Sequence, residues 1–224
     1  ALARRGAPSL PSRTMPHFAS FSCLLGTILC ACTGEPRCVE PGHAIVTDID
    51  GTLTTGDNEF LLQILDGNYD PAERPFASEL MKAYSERGYY VVYLTARLES
   101  LTLGFTGETA RDATARWLFL HDFPVGDDRT GLQLSPALVF GDAAGDYKGG
   151  ALLELEAAGF VFDFAYGNAP SDITAYAEAG IPTDATFIIG PDGGTGGTVA
   201  IAGEGWAEHE IEQMPNVSSV CTFN

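Results

Sequence analysis

Val46-Thr47-Asp48-Ile49-Asp50-Gly51-Thr52 is the stretch whose reading decides the fold: an apolar run ends in two carboxylates spaced i and i+2, then a glycine and a threonine. Ala44, Ile45, Val46 and Ile49 read as a buried strand, and Gly51 permits a sharp exit from it. Side chains at i and i+2 of an extended strand point the same way, so Asp48 and Asp50 would project together from its C-terminal end. That end is where open α/β sheets bind their ligands.

Downstream, the apolar pattern alternates between two periods. Residues 59–65 suit a short helix, and 76–87 show helical spacing with Phe76, Leu80, Met81 and Tyr84 on one face, closed by Gly88. Tyr89 to Leu94 is a β-branched and aromatic strand that runs into Thr95-Ala96-Arg97. A helix over 107–120 follows, then a strand within Leu132 to Phe140 interrupted by Pro136. A helix over 151–158, a strand over 160–166, a helix over 173–179 and a strand over 186–189 complete the alternation. Asp192-Gly193-Gly194 and Val199 to Ala202 suggest a terminal hairpin. Strands alternating with helices predict an α/β fold, a Rossmann-like doubly wound parallel sheet, with no second domain large enough to form a lid.

The chain has 224 residues, 45% apolar and 19% charged, which suits one globular domain with a sizeable core. Its net charge is −18, and Lys82 and Lys148 are its two lysines. Such a field repels nucleic acid and anionic membrane surfaces and is compatible with a carboxylate-rich metal site.

The N-terminal part reads separately. Arg4, Arg5 and Arg13 precede an apolar segment, Phe18 to Ala31, with the layout of a secretory signal. Its Leu29-Cys30-Ala31-Cys32 ending resembles a bacterial lipobox, in which Cys32 becomes the lipidated first residue. The organisation expected is therefore a leader over 1–32, a tether over 33–42 and an α/β domain over 43–224, in a bacterial cell envelope or secreted. A plain signal peptide or an ordinary apolar helix is the competing reading. Cleavage before Cys32 would leave Cys38 and Cys221 as a pair able to form a disulfide in an oxidising compartment.

The strand ends carry the components of phosphoryl transfer. A carboxylate can attack phosphorus and split one displacement into two. It needs a cation to offset repulsion by the substrate, a second acid to protonate the leaving oxygen, and a hydroxyl and an ammonium on the transferring oxygens. Asp48, Asp50, Thr95 and Lys148 supply these roles in sequence, while Asn168 and Asp172 add oxygen ligands for a hard ion such as Mg²⁺.

DIDGT at 48–52, the strand ending in Thr95, Lys148 and GNAPSD at 167–172 resemble motifs I to IV of the haloacid-dehalogenase-like (HAD-like) phosphatases. YYVVYLTAR (89–97), WLFLHDFPVG (117–126), LSP (134–136) and FAYGNAPSDITAYAEAGIP (164–182) resemble, more narrowly, the lipin-type domain. That domain occurs in phosphatidate phosphatases and at the C-terminus of membrane-associated phosphatidylinositol transfer proteins. The resemblance implies Asp48 as nucleophile and Mg²⁺ ligand, and Asp50 as general acid/base with its main-chain carbonyl on the metal. Asn168 and Asp172 would complete the metal site. Thr95 would hold the phosphoryl group, with Gly51, Thr52 and Arg97 beside it, and Lys148 would neutralise its charge. The implied partner is phosphatidate, another lipid phosphate or a small phosphate ester, met at a membrane through a lipid anchor on Cys32. Transfer-protein domains of this type are regarded as phosphatidate binders lacking the full catalytic set, so a non-catalytic lipid-binding module is the alternative; this chain keeps both aspartates.

Duller readings stand beside these. Arg97 could equally form a surface ion pair, and Asp146 could be the surface partner of Lys148. Gly141-Asp142-Ala143-Ala144-Gly145-Asp146 imitates motif IV, but no lysine lies between 98 and 140 to serve as motif III before it. His121 reads as a helix-end or packing residue.

Overall fold

Ala44, Ile45 and Val46 are all fully buried, so the strand they form is covered on both faces. Ile45 packs with Ile49, Tyr93, Tyr166 and Trp117 on one side, and Ala44 and Val46 pack with Val92, Leu94, Phe162 and Ala165 on the other. Period-2 alternation of this kind, with apolar residues in both phases, is what a parallel strand between two helical layers requires.

The computed structural model describes residues 37–38, 42–126 and 128–222, all within one compact unit spanning Gly34–Asn224. The leader read over 1–32, with Cys32, lies outside the described residues. The strands are β1 (Arg37–Cys38), β2 (Gly42–Thr47), β3 (Tyr90–Leu98), β4 (Thr130–Ser135), β5 (Phe160–Gly167), β6 (Thr186–Ile189), β7 (Val199–Ile201) and β8 (Cys221–Thr222). The helices are α1 (Glu59–Leu65), α2 (Ala77–Glu86), α3 (Ala110–Leu120), α4 (Asp142–Ala157), α5 (Pro170–Glu178) and α6 (Ala207–Gln213). The main sheet is parallel throughout, in the order β4-β3-β2-β5-β6-β7. The chain winds outward from β2 to β4, then returns to the other side of β2, which puts the topological switch point at the C-terminal end of β2, where Asp48 follows. No separate cap domain is inserted among the described residues, and none of their helices is long and apolar enough to cross a membrane. Within the stretch read as a tether, β1 pairs antiparallel with β8, and Cys38 is disulfide-bonded to Cys221.

Three local expectations are corrected. The strand expected over Leu132 to Phe140 ends at Ser135, because Pro136 has no N–H for the ladder; Ser135 Oγ instead donates to the Ala137 carbonyl at 2.6 Å and turns the chain out of the sheet. The terminal hairpin is absent: β7 runs parallel to β6, and the glycine-rich segment between them is a crossover containing a 3₁₀ turn at Thr195–Gly197. The helix expected to start at Ala151 starts at Asp142, so the motif IV look-alike at 141–146 is its beginning and Lys148 is inside it. Gly149 lowers the helix signal, and a Cβ there would crowd only the end of the Glu178 side chain on α5. Helix α6, which no periodicity announced, carries His209 into the core beside Trp206.

His209 Nε2 meets the Tyr166 hydroxyl at 3.1 Å, and burial lowers the imidazole pKa to about 4. The unfolded chain therefore binds a proton at this residue between about pH 6.5 and 4 that the folded chain does not, so stability falls as pH falls through that window. This one group should account for about 3 kcal/mol of the loss. Urea unfolding at pH 7 and pH 4 should show a correspondingly smaller acid loss in His209→Gln than in the wild type; equal losses contradict the assignment.

Candidate active site

After β2 the chain turns within four residues. The N–H groups of Thr52, Leu53 and Thr54 all point to the Ile49 carbonyl, at 3.2, 2.9 and 3.0 Å. Gly51 takes a φ of +76°, and a Cβ there would fall 2.2 Å from Asn168 Nδ2 and 2.3 Å from Asp57 Oδ1, so glycine is needed for both conformation and space. Two distant side chains clamp the turn. Arg74, buried, donates from Nη2 to the carbonyls of Gly51 (2.7 Å) and Thr55 (3.2 Å), and the fully buried Trp206 donates from Nε1 to the Thr52 carbonyl at 3.0 Å. Sequence reasoning missed both, because neither Arg74 nor Trp206 carries a local pattern that points to its distant partner.

Lys148 projects from α4 beneath this turn. Its Nζ lies 2.6 Å from Asp48 Oδ1 and 2.6 Å from Asp172 Oδ1, all three side chains being at least nine-tenths buried. Asp146 is thus not its partner. The Asp48 carboxyl is raised to about 7 on balance: burial raises it most, Lys148 opposes this, and Asp172 and Asp50 add to the rise. Burial disfavours the Lys148 ammonium too, yet Asp172 and Asp48 together hold its pKa above the ordinary lysine value. One ammonium against two buried carboxylates leaves the cluster with an excess of negative charge.

Asp172 is the third residue of α5, and its Oδ2 accepts from the N–H groups of Asn168 and Ala169, each at 3.0 Å. Both of its oxygens are therefore engaged. Asn168 Oδ1 accepts from Thr52 Oγ1 at 3.1 Å, the same hydroxyl lies 3.2 Å from Asp48 Oδ2, and Asn168 Nδ2 donates to Asp57 Oδ1 at 2.8 Å. Thr52 thus links Asp48 to Asn168, and Asp57 is a partner that the sequence did not single out.

Asp50 forms a second cluster on the β3 side. Arg97 Nε and Nη2 reach its carboxylate at 2.9 and 2.7 Å, and Thr95 Oγ1 donates to it at 3.1 Å. Arg97 is an ion-pair residue, but a buried one within the site and not a surface one. Its Nη1 donates to Thr114 Oγ1 at 2.8 Å, and its guanidinium lies over the Phe60 ring, 4.2 Å from the centroid. His121 ends α3, stacked on Trp117 and bonded to Glu73 and Asp70.

The donors left around Asp48, namely its own carboxylate, the Asn168 amide oxygen and nearby main-chain carbonyls, are all oxygens beside surplus negative charge. That chemistry fits a hard divalent cation. Among the described residues no group of three or more His, Cys, Asp or Glu side chains could hold a metal by itself. The amide and a carbonyl would have to complete the set.

A parallel sheet with two acids at its switch point, a buried lysine from the helix after β4 and an Asn/Asp pair at the end of β5 defines a Rossmann-like domain of the HAD fold. Over residues 45–190 the sequence matches the family described as PITM 1-3, LNS2 domain. The chain belongs to that family, a lipin-like domain of the HAD fold. Among solved structures, the class C acid phosphatase from Bacillus anthracis with tungstate bound is similar at 17% identity and a TM-score of 0.41, over 60% of this chain and 54% of that one. The chain thus spans about half the length of that structure. No curated protein matches it.

Removing the ammonium would leave two buried carboxylates facing each other. In chelator, Lys148→Met should therefore lose about 3–5 kcal/mol of unfolding free energy. Chemical denaturation checks this, and a loss below about 1 kcal/mol contradicts the bridge.

Proposed function

We propose that the chain is a Mg²⁺-dependent phosphomonoesterase that acts through an aspartyl-phosphate on Asp48, with phosphatidate or another lipid phosphate as substrate. The observation that carries this reading is the buried bridge of Lys148 Nζ to Asp48 and Asp172, set at the switch point with Asp50 and Thr95 alongside. In the first step an Asp48 carboxylate oxygen bonds to phosphorus while the bond from phosphorus to the ester oxygen breaks, and Asp50 gives that oxygen a proton. In the second, Asp50 takes a proton from water as its oxygen bonds to phosphorus, and the bond to Asp48 breaks, restoring the carboxylate. Lys148 and Thr95 hold the transferring oxygens. Mg²⁺ would be held by Asp48, Asn168 and Asp172 oxygens with main-chain carbonyl help from Asp50 and would offset charge repulsion at phosphorus; Asp172 also fixes Lys148 and Asn168.

The lipin-like family together with the two retained aspartates, Asp48 and Asp50, supports a phosphatase, and a lipid phosphate as its substrate is the narrower proposal. A cell-envelope or secreted location is supported by the Cys38–Cys221 disulfide, since such bonds persist in oxidising compartments, and an anchor at Cys32 by the lipobox-like sequence before it. One observation favours the second reading, a phosphatidate-binding module without turnover: Asp50 is held by two guanidinium nitrogens, and an acid so engaged must be released before it can pass a proton.

Phosphate release from phosphatidate and from a soluble ester separates the two. The proposal expects release by wild type with Mg²⁺, its loss in chelator and in Asp48→Asn, and a fall of roughly 10²–10⁴-fold in kcat for Asp50→Asn. Binding of phosphatidate with no release from any ester would instead establish the module.

A further inference from the structure

The stretch Pro136-Ala137-Leu138-Val139-Phe140, read from sequence as the rest of a strand, neither joins the sheet nor enters the core. Leu138 is 66% exposed and Phe140 75% exposed. Opposite them, α1 leaves Leu61 half exposed. Between the two lies a groove of about 500 Å³, within the usual range for a small-ligand site, walled by Phe60, Leu61, Ile64, Leu101, Leu138 and Phe140. Its polar members, Asp50, Asp57 and Arg97, belong to the candidate site or its border, so groove and site are continuous. A phosphoryl group beside Asp48 would therefore have its ester oxygen next to Asp50 and whatever that oxygen carries next to the groove.

We propose that this groove, between α1 and the Leu138–Phe140 segment, is a subsite for the apolar substituent of a phosphate monoester, taken up from a single substrate molecule. The proposal rests on the phosphatase reading for which end of the substrate points where. Three features favour this occupant. The walls offer aliphatic and aromatic surface, while the polar groups gather at the end next to Asp50. Phe60 is both a wall of the groove and the ring beneath Arg97, so an occupant would touch the support of the Asp50 ion pair. A chain of net charge −18 would be repelled by an anionic bilayer, which disfavours the groove as a face that lies flat on a membrane.

Non-hydrolysable n-alkylphosphonates from ethyl to octyl, each kept monomeric, test the subsite by titration calorimetry with Mg²⁺ present. The dissociation constant should fall with each methylene, by up to about fourfold, the factor for about 0.8 kcal/mol at full burial. Leu138→Ser and Phe140→Ser should each flatten that dependence, whereas Ile211→Ser, an equally exposed apolar residue on α6, should not. Because each protein is compared between its own short and long ligands, a general loss of affinity does not imitate the result. Affinities independent of chain length, no binding by any member, or a dependence untouched by both groove variants overturns the proposal. Turnover of octyl phosphate is measured alongside: chain-length-dependent binding without phosphate release keeps the subsite and sinks the hydrolytic reading.

Discussion

Lys148 Nζ stands 2.6 Å from one oxygen of each of two buried carboxylates that arrive on different elements, Asp48 after β2 and Asp172 on α5. An ion triad with one cation is costly to bury, and each member is tolerable only while the others are in place. The bridge thus binds the β2 turn, α4 and the end of β5 into one unit. It also leaves negative charge to spare, which a divalent cation would offset before an anionic phosphoryl group could approach. In the proposed reaction the nucleophile is held where burial and Lys148 act on it in opposite directions.

Around that centre the scaffold fixes main chain more than side chains. Arg74 and Trp206 grip carbonyls of the turn, and Asp172 caps α5 while it holds Lys148. Gly51 lets Asn168 and Asp57 approach within the space of a methyl group. The Asp50 side is arranged differently. Arg97 bonds Asp50 directly and is itself held by Thr114 of α3 and by the Phe60 ring of α1, and Phe60 also walls the adjoining groove. The nucleophile side is therefore bound to α4 and α5, and the acid side to β3 with α1 and α3 behind Arg97.

The apolar runs ending in Asp48, Thr95 and Gly167 were legible because a parallel strand covered on both faces writes itself as an uninterrupted apolar stretch. Site residues next to those ends were legible with them. Lys148 was legible as a chemical need, but its helix was not, since Gly145, Gly149 and Gly150 hide the start of α4. The same limit applies to Arg74, Trp206 and Asp57, whose partners lie 23, 154 and 111 residues away in sequence. Contacts of that range leave no periodicity. The β6–β7 crossover was misread because a glycine-rich link between short apolar runs has the same composition as a hairpin turn.

The central claim is that Asp48 carries the phosphoryl group. Acid quenching of the protein during turnover of a phosphate ester, followed by peptide mass analysis, tests it most directly. The account predicts a phosphate adduct on Asp48 that appears with substrate, is absent from Asp48→Asn, and accumulates in Asp50→Asn, where the second step is slowed. Phosphate release that continues in Asp48→Asn, with no adduct on Asp48 in the wild type, would contradict it.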